Sequence, residues 1–493
     1  MNDANRAPLA AAMKAYAAGG ALAFHTPGHK QGLGAHPLLR DFVTEEGLRA
    51  EVSLADELDD LHRPEGCLKE AQQKAARLWG ADEAIFSVNG TTGAIHAMML
   101  AALSPRDEVI VPRNIHRSVV GGLVLSGARP VYIMPERDEK VGIAHGVTAE
   151  SVRQALAKNP AARAVFAVYP TYYGVASELG AIAKAAHEKG VPLLVDEAHG
   201  AHLKFSDELP PDALSCGADL VAQSTHKLLG AMTQASMLFR KGGRVPAELV
   251  RRSASLLATT SPNYLLMASL DIARLQMEEE GAERIARAVR LAKQLREEIN
   301  ALPGLWCFGV ERMGRPGAAA LDVTKLTVNV SGLGLSGEEA MRLLRGKNIQ
   351  AELADARNVL FIVSMADTER EIERLFAALQ ELSSENLGKS EASFLSVSMP
   401  PNLAAELSPR ETFYAARESV PLIQAAGRIA AEEITFYPPG IPAVAPGERM
   451  TPEAVAYLKE MVRMGMKVTG AMDASLSTVC VVKQGEAWTK KVN

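Results

Sequence analysis

Short apolar runs alternate with amphipathic stretches along the first half of the chain. The apolar runs are rich in Val, Ile and Phe, and they predict strands at 84–88, 108–111, 130–134, 164–168, 192–196, 220–223 and 235–239. The stretches between them predict helices that include 68–79, 92–103, 149–157 and 179–188. Regular alternation predicts a mostly parallel sheet covered by helices on both faces, with ligands bound at the carboxyl ends of its strands. The residues that follow each strand are therefore the candidates for chemistry.

The second half of the chain divides into smaller parts. A long helical pattern at 265–302 carries many charges and is long enough to bridge two domains, and strand patterns follow at 325–330 and 359–363. A proline-rich stretch at 437–448 predicts an ordered loop without regular structure, and an Ala-rich stretch at 8–23 predicts a helix. The predicted parts are an N-terminal segment at 1–50, a large domain at 51–302, a small α/β domain at 303–382, a Ser-rich linker at 383–398 and a C-terminal α+β domain at 399–493.

Composition narrows the class of protein. The 493 residues are 47% hydrophobic and 23% charged, as in a soluble globular protein, and no apolar run reaches the length of a membrane span. A net charge of −5 argues against a nucleic-acid or anionic-membrane partner, because both favour a basic surface. The four cysteines are far apart and have neither metal-ligand nor redox spacing, and no export signal is recognisable, so we expect a cytoplasmic protein.

A first polar motif, Asn89-Gly90-Thr91-Thr92-Gly93, follows a predicted strand and opens a predicted helix. Gly90 permits a tight turn, while the first amides of the helix and two hydroxyls offer donors to an anion such as a phosphate. The alternative is an ordinary helix cap with a turn, since Ser, Thr and Asn commonly begin helices.

A second motif, Asp196–His202, follows the apolar strand 192–196. A buried Asp196 suits a protonated ring nitrogen, because burial strengthens an ion pair. Three alternatives stay open: Asp196 caps the next element, His199 and His202 are structural, or all three bind a metal ion.

A third motif, Gln223–Gly230, contains Lys227 directly after another strand. A desolvated lysine has a lowered pKa and acts as a nucleophilic amine, as a Schiff base requires. The alternative is a solvated lysine without a role at the mouth of the sheet. Ser224, Thr225 and His226 offer further phosphate donors. A phosphate cradle, a strand-end Asp and a strand-end Ser-x-His-Lys, in this order, resemble pyridoxal-phosphate (PLP) enzymes of the aspartate-aminotransferase fold type.

Further motifs narrow the resemblance. In chain order they occupy 24–32 (FHTPGHKQG), 57–66, 89–93, 170–175, 196–202, 223–229 and 437–448. Together they resemble the Orn/Lys/Arg decarboxylase family, in its short bacterial form, because no extra domain precedes the His25-Thr26-Pro27-Gly28-His29 segment. The resemblance implies an aspartate-aminotransferase-like α/β fold with a mostly parallel central sheet, a small α/β domain and a C-terminal α+β domain. It also implies pyridoxal 5'-phosphate as cofactor and a homodimer or a multiple of dimers.

The same resemblance implies roles for individual residues. Lys227 carries the cofactor as a Schiff base, Asp196 pairs with its pyridine nitrogen, and His116 stacks on its ring. The residues expected to hold the phosphate are Gly90, Thr91, Thr92, Ser224 and His226. Ala198 is expected against the other ring face and His199 close to the cofactor, with Thr259-Thr260-Ser261 donated to a neighbouring subunit. The expected catalytic group is Lys227, Asp196, His116 and His226.

The implied reaction is decarboxylation of a basic amino acid, with L-arginine favoured and lysine and ornithine open. His25, His29 and the 437–448 loop are expected in the substrate pocket. Glu448, Asp59 and Asp60 are the candidates for binding the distal charge of the substrate. The α-carbon is protonated by Lys227 or a nearby histidine. Rival hypotheses are another PLP reaction such as transamination (with Arg410, Arg417 or Arg428 binding the substrate carboxylate), an inactive regulatory relative, and a metal-dependent enzyme that uses His199 and His202.

Overall fold

The computed structural model describes residues 3–388, 400–437 and 441–484. They form two compact units, one of residues 1–102 and 192–286 and the other of residues 103–191 and 287–493. The boundary at 286/287 lies inside the long helix Tyr264–Asn300. The domain boundaries stated above stay a prediction. Within the described ranges, no helix has both the length and the apolar character that a membrane crossing demands.

The first unit contains one group of four hydrogen-bonded strands, in the spatial order Glu83–Ser87, Ser236–Arg240, Leu220–Gln223 and Leu193–Asp196. The first two pairings are antiparallel and the third is parallel, with Asp196 opposite Ala222. Three strands therefore run in one direction and Ser236–Arg240 runs against them. The carboxyl ends at Ser87, Asp196 and Gln223 consequently lie along one edge, where the three polar motifs begin.

Helices surround these strands. The helices of the first unit are Asp3–Arg6, Pro8–Ala18, Pro37–Val43, Glu45–Ala50, Cys67–Trp79, Gly90–Ala102, Thr225–Leu228, Ala247–Leu257 and the first part of Tyr264–Asn300, with 3-10 turns at Asp56–Leu58 and Leu203–Phe205. Cys67–Trp79 shows why they pack: Leu68, Ala71, Ala75 and Trp79 fall on one buried face, as a helical period requires. The helix ends at Gly80, whose φ of +74° favours glycine.

The second unit contains the remaining described elements. Its helices are Arg117–Ser126, Ala149–Lys158, Leu179–Glu188, the rest of Tyr264–Asn300, Gly337–Gly346, Glu369–Asn386, Pro409–Tyr414 and Pro452–Arg463, with 3-10 turns at Val310–Arg312, Ser331–Leu333 and Leu422–Gln424. Its strands are Glu108–Pro112, Arg129–Ile133, Arg137–Asp138, Ile143–Ala144, Ala162–Val168, Val175–Ala176, Trp306–Cys307, Ala320–Leu321, Lys325–Asn329, Leu353–Ala354, Asn358–Ile362, Arg417–Pro421, Ile434–Tyr437, Pro442–Val444, Lys467–Thr469 and Thr478–Val482.

Two of the sheets in this unit position the candidate site. Glu108–Pro112 pairs in parallel with Ala162–Val168 on one side and with Arg129–Ile133 on the other. Near the C-terminus, Ile434–Tyr437 lies between Pro442–Val444 and Lys467–Thr469, antiparallel to both. The first sheet ends at the residues that precede His116, and the second begins next to Glu433.

Most predicted elements occur within two residues of their predicted ends, and Leu220–Gln223 and Leu179–Glu188 match in full. The N-terminal helix is shorter than predicted: it ends at Ala18, before Gly19 and Gly20, and Gly20 has a φ of +68°.

Two predictions in the second half of the chain were partly wrong. The helix Glu369–Asn386 extends into the predicted linker, because Ser383 and Asn386 are buried and Ser383 Oγ donates to the Pro303 carbonyl at 2.7 Å. Residues 389–398 lie outside the described residues. The 437–448 stretch is not entirely loop, since Pro442 begins a strand, a position that needs no proline N–H. Pro438, Pro439 and Gly440 lie outside the described residues.

Candidate active site

Lys227 lies in the single helical turn Thr225–Leu228, which follows the strand Leu220–Gln223. Its Nζ is 3.0 Å from Nε2 of His199, a residue that follows the neighbouring strand Leu193–Asp196. The parallel pairing of the two strands brings both side chains to the same edge. An amine and an imidazole at hydrogen-bond distance can exchange a proton, so this pair has the means to hold or move one.

Asp196 ends the strand Leu193–Asp196 and is 5% exposed. Its Oδ1 accepts a hydrogen bond from the Ala198 amide at 3.0 Å. Burial raises the pKa of Asp196, and the Ala198 amide and the positive charge of Lys227 offset only part of that rise. A further cation against this carboxylate would favour its ionised form, which is the electrostatic setting that a protonated ring nitrogen needs.

Glu197, which sequence reasoning missed, has a different role from its neighbour Asp196. Its side chain is completely buried, with Oε1 accepting from the Ala213 amide at 2.7 Å and Oε2 accepting from Gln223 Nε2 at 2.6 Å. Burial, followed by the charge of Asp212, holds the pKa of Glu197 well above its usual value. These bonds tie the ends of two strands together. The only signal in the sequence was the adjacent pair of acids after an apolar strand.

A cluster of three hydroxyl groups lies at the start of the helix Gly90–Ala102. Thr91 Oγ1 is 2.5 Å from Ser224 Oγ and 2.8 Å from Ser236 Oγ, and Ser236 donates to the Gln223 carbonyl at 2.5 Å. Ser236 was not predicted as a site residue, although it lies in the predicted strand 235–239 and begins the observed one. The structure thus brings together two of the predicted phosphate-binding residues, Thr91 and Ser224.

The backbone around this cluster has the shape that the first motif predicts. Gly90 has a φ of +64°, and its amide donates to the Gln234 carbonyl at 2.9 Å. Thr92, the next hydroxyl of the helix, is exposed, while His226 Nδ1 lies 2.9 Å from the Ala235 carbonyl. A helix N-terminus of a 13-residue helix with hydroxyls around it fits a phosphate group. The lysine, the buried carboxylate and this cradle therefore fit the PLP expected from the sequence.

His116 lies in the second unit, directly before the helix Arg117–Ser126. Its Nδ1 accepts from the Ser118 amide at 3.2 Å and lies 2.8 Å from Ser118 Oγ. The ring is exposed and lines a cavity of about 640 Å³. Because Nδ1 accepts the hydrogen bond from the Ser118 amide, a neutral ring carries its proton on Nε2. The hydrogen bonds fix the orientation of an otherwise open ring, as stacking on a flat ligand requires.

Glu448 is not available to a ligand. Its side chain is 0% exposed and forms a bidentate ion pair with Arg113, with Oε2 accepting from Nη2 at 2.7 Å and Oε1 contacting Nη1. Oε2 also accepts from the Ala445 amide at 2.8 Å, and Arg113 Nε donates to the Pro442 carbonyl at 3.0 Å. We therefore correct the interpretation of Glu448 as the carboxylate that binds the distal charge of the substrate. It anchors the 442–448 segment to the residue after the strand Glu108–Pro112.

Asp59 is also occupied. Its two oxygens accept from the backbone amides of Asp60, Glu65, Gly66 and Lys69, at 2.7 to 3.3 Å. It therefore accepts hydrogen bonds from the amides of Gly66, the N-cap residue, and of Lys69 in the first turn of the helix Cys67–Trp79, a structural role of the kind that is common for acids. Asp60 accepts from the His62 amide at 2.9 Å.

The remaining predicted pocket residues belong to the first unit. His25 Nε2 lies 2.8 Å from the Tyr16 hydroxyl, and His29 Nε2 lies 2.7 Å from Glu51 Oε2. His62 Nε2 lies 3.1 Å from the Thr259 carbonyl, at the start of the Thr259–Ser261 segment. Their roles toward substrate or a neighbouring subunit stay predictions. Among the residues that the structure describes, no three His, Cys, Asp or Glu side chains lie close enough together to bind a metal ion. His199 and His202 therefore do not belong to such a group.

Comparison with known proteins gives two family matches. Residues 7–314 match the model described as "Orn/Lys/Arg decarboxylase, major domain", and residues 389–491 match "Orn/Lys/Arg decarboxylase, C-terminal domain". The first match contains every residue of the three polar motifs and His116.

Individual proteins agree with the family matches. The chain is 43% identical to an arginine decarboxylase of Halalkalibacterium halodurans over 99% of this chain and 100% of that protein. It is 41% identical to an arginine decarboxylase of Bacillus subtilis over 97% and 98% of the two chains. A crystal structure of a Francisella novicida lysine decarboxylase superposes with a TM-score of 0.83 at 22% identity, over 97% of this chain and 81% of that one. This likeness confirms the predicted α/β fold.

Proposed function

The chain belongs to the Orn/Lys/Arg decarboxylase family, and from this premise we propose that it converts L-arginine into agmatine and carbon dioxide. PLP is the cofactor of this family. The observation that carries the proposal is the arrangement of Lys227, His199 and the buried Asp196 at one strand edge. The choice of arginine is supported by two relatives of nearly full length that are named arginine decarboxylases.

Separate residues of the chain attach the cofactor, hold its ring nitrogen protonated and bind its phosphate. When bound, PLP supplies the electron sink for the pair of electrons that the departing carbon dioxide leaves behind. Lys227 is the covalent attachment point, and Asp196 supplies the negative charge that keeps a ring nitrogen protonated. Thr91, Thr92, Ser224 and the helix amides after Gly90 hold the phosphate, with His226 beside them.

Proton transfer to the α-carbon needs a donor next to the attachment point. Lys227 and His199 are at 3.0 Å from each other, so either one can donate while the other replaces the proton. His116 and Ala198 are retained as the residues proposed to lie against the ring faces. We also propose a cytoplasmic homodimer or multiple of dimers, in which Thr259-Thr260-Ser261 serves the neighbouring subunit.

The test is carbon dioxide release from arginine, lysine and ornithine by the PLP-loaded protein, with the amine product identified. We expect agmatine from arginine, and loss of release in Lys227→Ala but not in Lys189→Ala, an exposed lysine outside the motifs. Release from lysine or ornithine alone would retain the reaction and overturn the substrate.

Transamination receives no support from the arginines considered above. Arg428 Nη2 donates to Glu418 at 2.5 Å and to the Val482 carbonyl at 3.0 Å, while Arg410 and Arg417 are exposed. A keto acid product without carbon dioxide would nevertheless refute decarboxylation and favour transamination.

A further inference from the structure

His116 lines a cavity whose other walls also belong to the second unit. It has a volume of about 640 Å³, within the range of about 300–1,000 Å³ that is usual for small-molecule sites. Its walls come from several parts of the second unit, which include residues 114–117, residues 171–173 and the C-terminal residues Glu433, Thr435, Pro442, Thr469 and Gly470. Under the proposed function, His116 is one of the residues that contact the bound cofactor, and the cavity that it lines is therefore a candidate for part of the substrate pocket.

We propose that Glu433 binds the distal guanidinium of the substrate, with Asn114 as a second acceptor, and so determines the preference for arginine. This inference rests on the proposed function, because it requires a substrate with a cationic end. It assigns the role that Glu448 and Asp59 are unable to fill.

Glu433 is the sole carboxylate among the described residues that line the cavity. Thr435 Oγ1 donates to its Oε1 at 3.1 Å and so orients the side chain. Within the described part of the chain, Oε2 forms no hydrogen bond. One oxygen is thus fixed by the protein, while the other remains available to a donor from a ligand.

The electrostatic setting of Glu433 also favours a cationic ligand. Burial raises the pKa of Glu433, and the hydrogen bond from Thr435 and the charges of Arg113 and Arg117 offset part of that rise. Arg113 is itself committed to Glu448, as described above. A guanidinium placed against Glu433 would restore the charge balance of a partly desolvated carboxylate.

Asn114 supplies the second observation. Its Nδ2 donates to the His145 carbonyl at 3.1 Å, which fixes the amide, and its Oδ1 is buried without a hydrogen-bond partner in the described residues. Leaving a buried acceptor unpaired is unfavourable, so a donor from a ligand is favoured there. Asn114 also lines the cavity.

The two acceptors together favour a guanidinium over an ammonium. A guanidinium presents five N–H groups in a fixed fork, which can reach a carboxylate and a second acceptor at the same time. An ammonium is a compact point charge with three donors, and it gains less from an acceptor at a separate position. We therefore expect the site to favour a guanidinium because it offers two acceptors as well as a negative charge.

The experiment compares Glu433→Gln with the control Glu453→Gln, an exposed glutamate of the same region. We measure steady-state kinetics with arginine and with citrulline, its neutral isostere, and the affinity for agmatine, which carries the guanidinium but has no carboxylate to lose. We expect the KM for arginine and the Kd for agmatine to rise by roughly 100-fold in Glu433→Gln, since the variant removes one partner of a desolvated charge pair. The near-visible absorbance of bound PLP should be unchanged, which shows that the variant is folded and loaded.

Two further variants sharpen the result. Glu433→Asp should recover part of the agmatine affinity, because the charge is kept. Asn114→Ala should reduce the preference for arginine over lysine with a smaller effect on lysine itself.

Normal agmatine affinity and normal KM for arginine in Glu433→Gln would overturn the assignment. Absence of carbon dioxide release from any basic amino acid by the unaltered protein would instead refute the proposed function, and the agmatine measurement separates the two failures.

Discussion

The buried ion pair between Arg113 and Glu448 allows a quantitative prediction. Replacing Glu448 by Gln retains the size and the acceptor for the Ala445 amide, but removes the counter-charge of an arginine that is 1% exposed. Breaking a buried pair in this way typically costs about 3–5 kcal/mol, because one charge stays buried without its partner. The exposed pair Glu406–Arg449, whose side chains are 41% and 42% exposed, serves as a control, and Glu406→Gln should cost about 0–1 kcal/mol.

Native-state hydrogen exchange is the suitable assay, because a chain with more than one compact unit has no single free energy of unfolding. The reporters are the amides of Gly447 and Ala430, which bond to the Ala430 and Glu448 carbonyls at 2.9 and 2.8 Å. A loss of about 3–5 kcal/mol corresponds to exchange that is roughly 10² to 10³·⁵ times faster in Glu448→Gln.

A double variant tests whether charge is the cause. Arg113→Met with Glu448→Leu removes both charges, and such replacements of buried pairs are often neutral, so its exchange should return close to that of the unaltered protein. If Glu448→Gln exchanges no faster than Glu406→Gln, the reasoning about an uncompensated charge is refuted. If the double variant is as labile as the single one, lost packing and not charge explains the effect.

Three other perturbations have defined outcomes. Asp59→Ala should lower the local stability at the start of the helix Cys67–Trp79 by about 0.5–2 kcal/mol, seen as faster hydrogen exchange of the Glu70 amide, because it removes the acceptor of the Gly66 and Lys69 amides. Thr91→Val should weaken PLP binding roughly tenfold in a fluorescence titration, since it removes the hydroxyl between Ser224 and Ser236; unchanged affinity would exclude this hydroxyl from the phosphate site. Burial raises the pKa of Asp138, but hydrogen bonds from Arg312 and a backbone amide hold it below its usual value. Its stabilisation is therefore present above about pH 4 and lost as the pH falls further, so the Tm difference between Asp138→Asn and the unaltered protein should narrow below pH 4; a constant difference would contradict this.

Local pattern was sufficient for much of the fold. Strands such as Leu220–Gln223 were predicted because a fully buried strand is a continuous apolar run between polar residues. The three motifs at strand ends were predicted for the same reason, since parallel strands collect their carboxyl ends at one edge. The family resemblance added residue roles that no periodicity carries.

The local sequence pattern could not predict contacts between residues that are far apart in the chain. Glu448 looked available because its partner Arg113 is 335 residues away in the chain. Ser383 looked like part of a linker because its burial depends on a carbonyl 80 residues earlier. No sequence motif around Glu433 indicated a functional role. The role is proposed because Glu433 lines the same cavity as Asn114 and His116.

The Arg113–Glu448 pair has a consequence for recombination within the family. Glu433 and Glu448 belong to the C-terminal segment, whereas Arg113, Asn114 and His116 are encoded more than 300 codons earlier. A chimaera that exchanges only the C-terminal segment therefore replaces the residue at position 433, which is proposed to bind the substrate. It also replaces the residue at position 448, which pairs with the buried Arg113 of the retained part. Exchanges that retain an acid at position 448 should give folded hybrids with altered selectivity, whereas those that lose it should fail before selectivity can be tested.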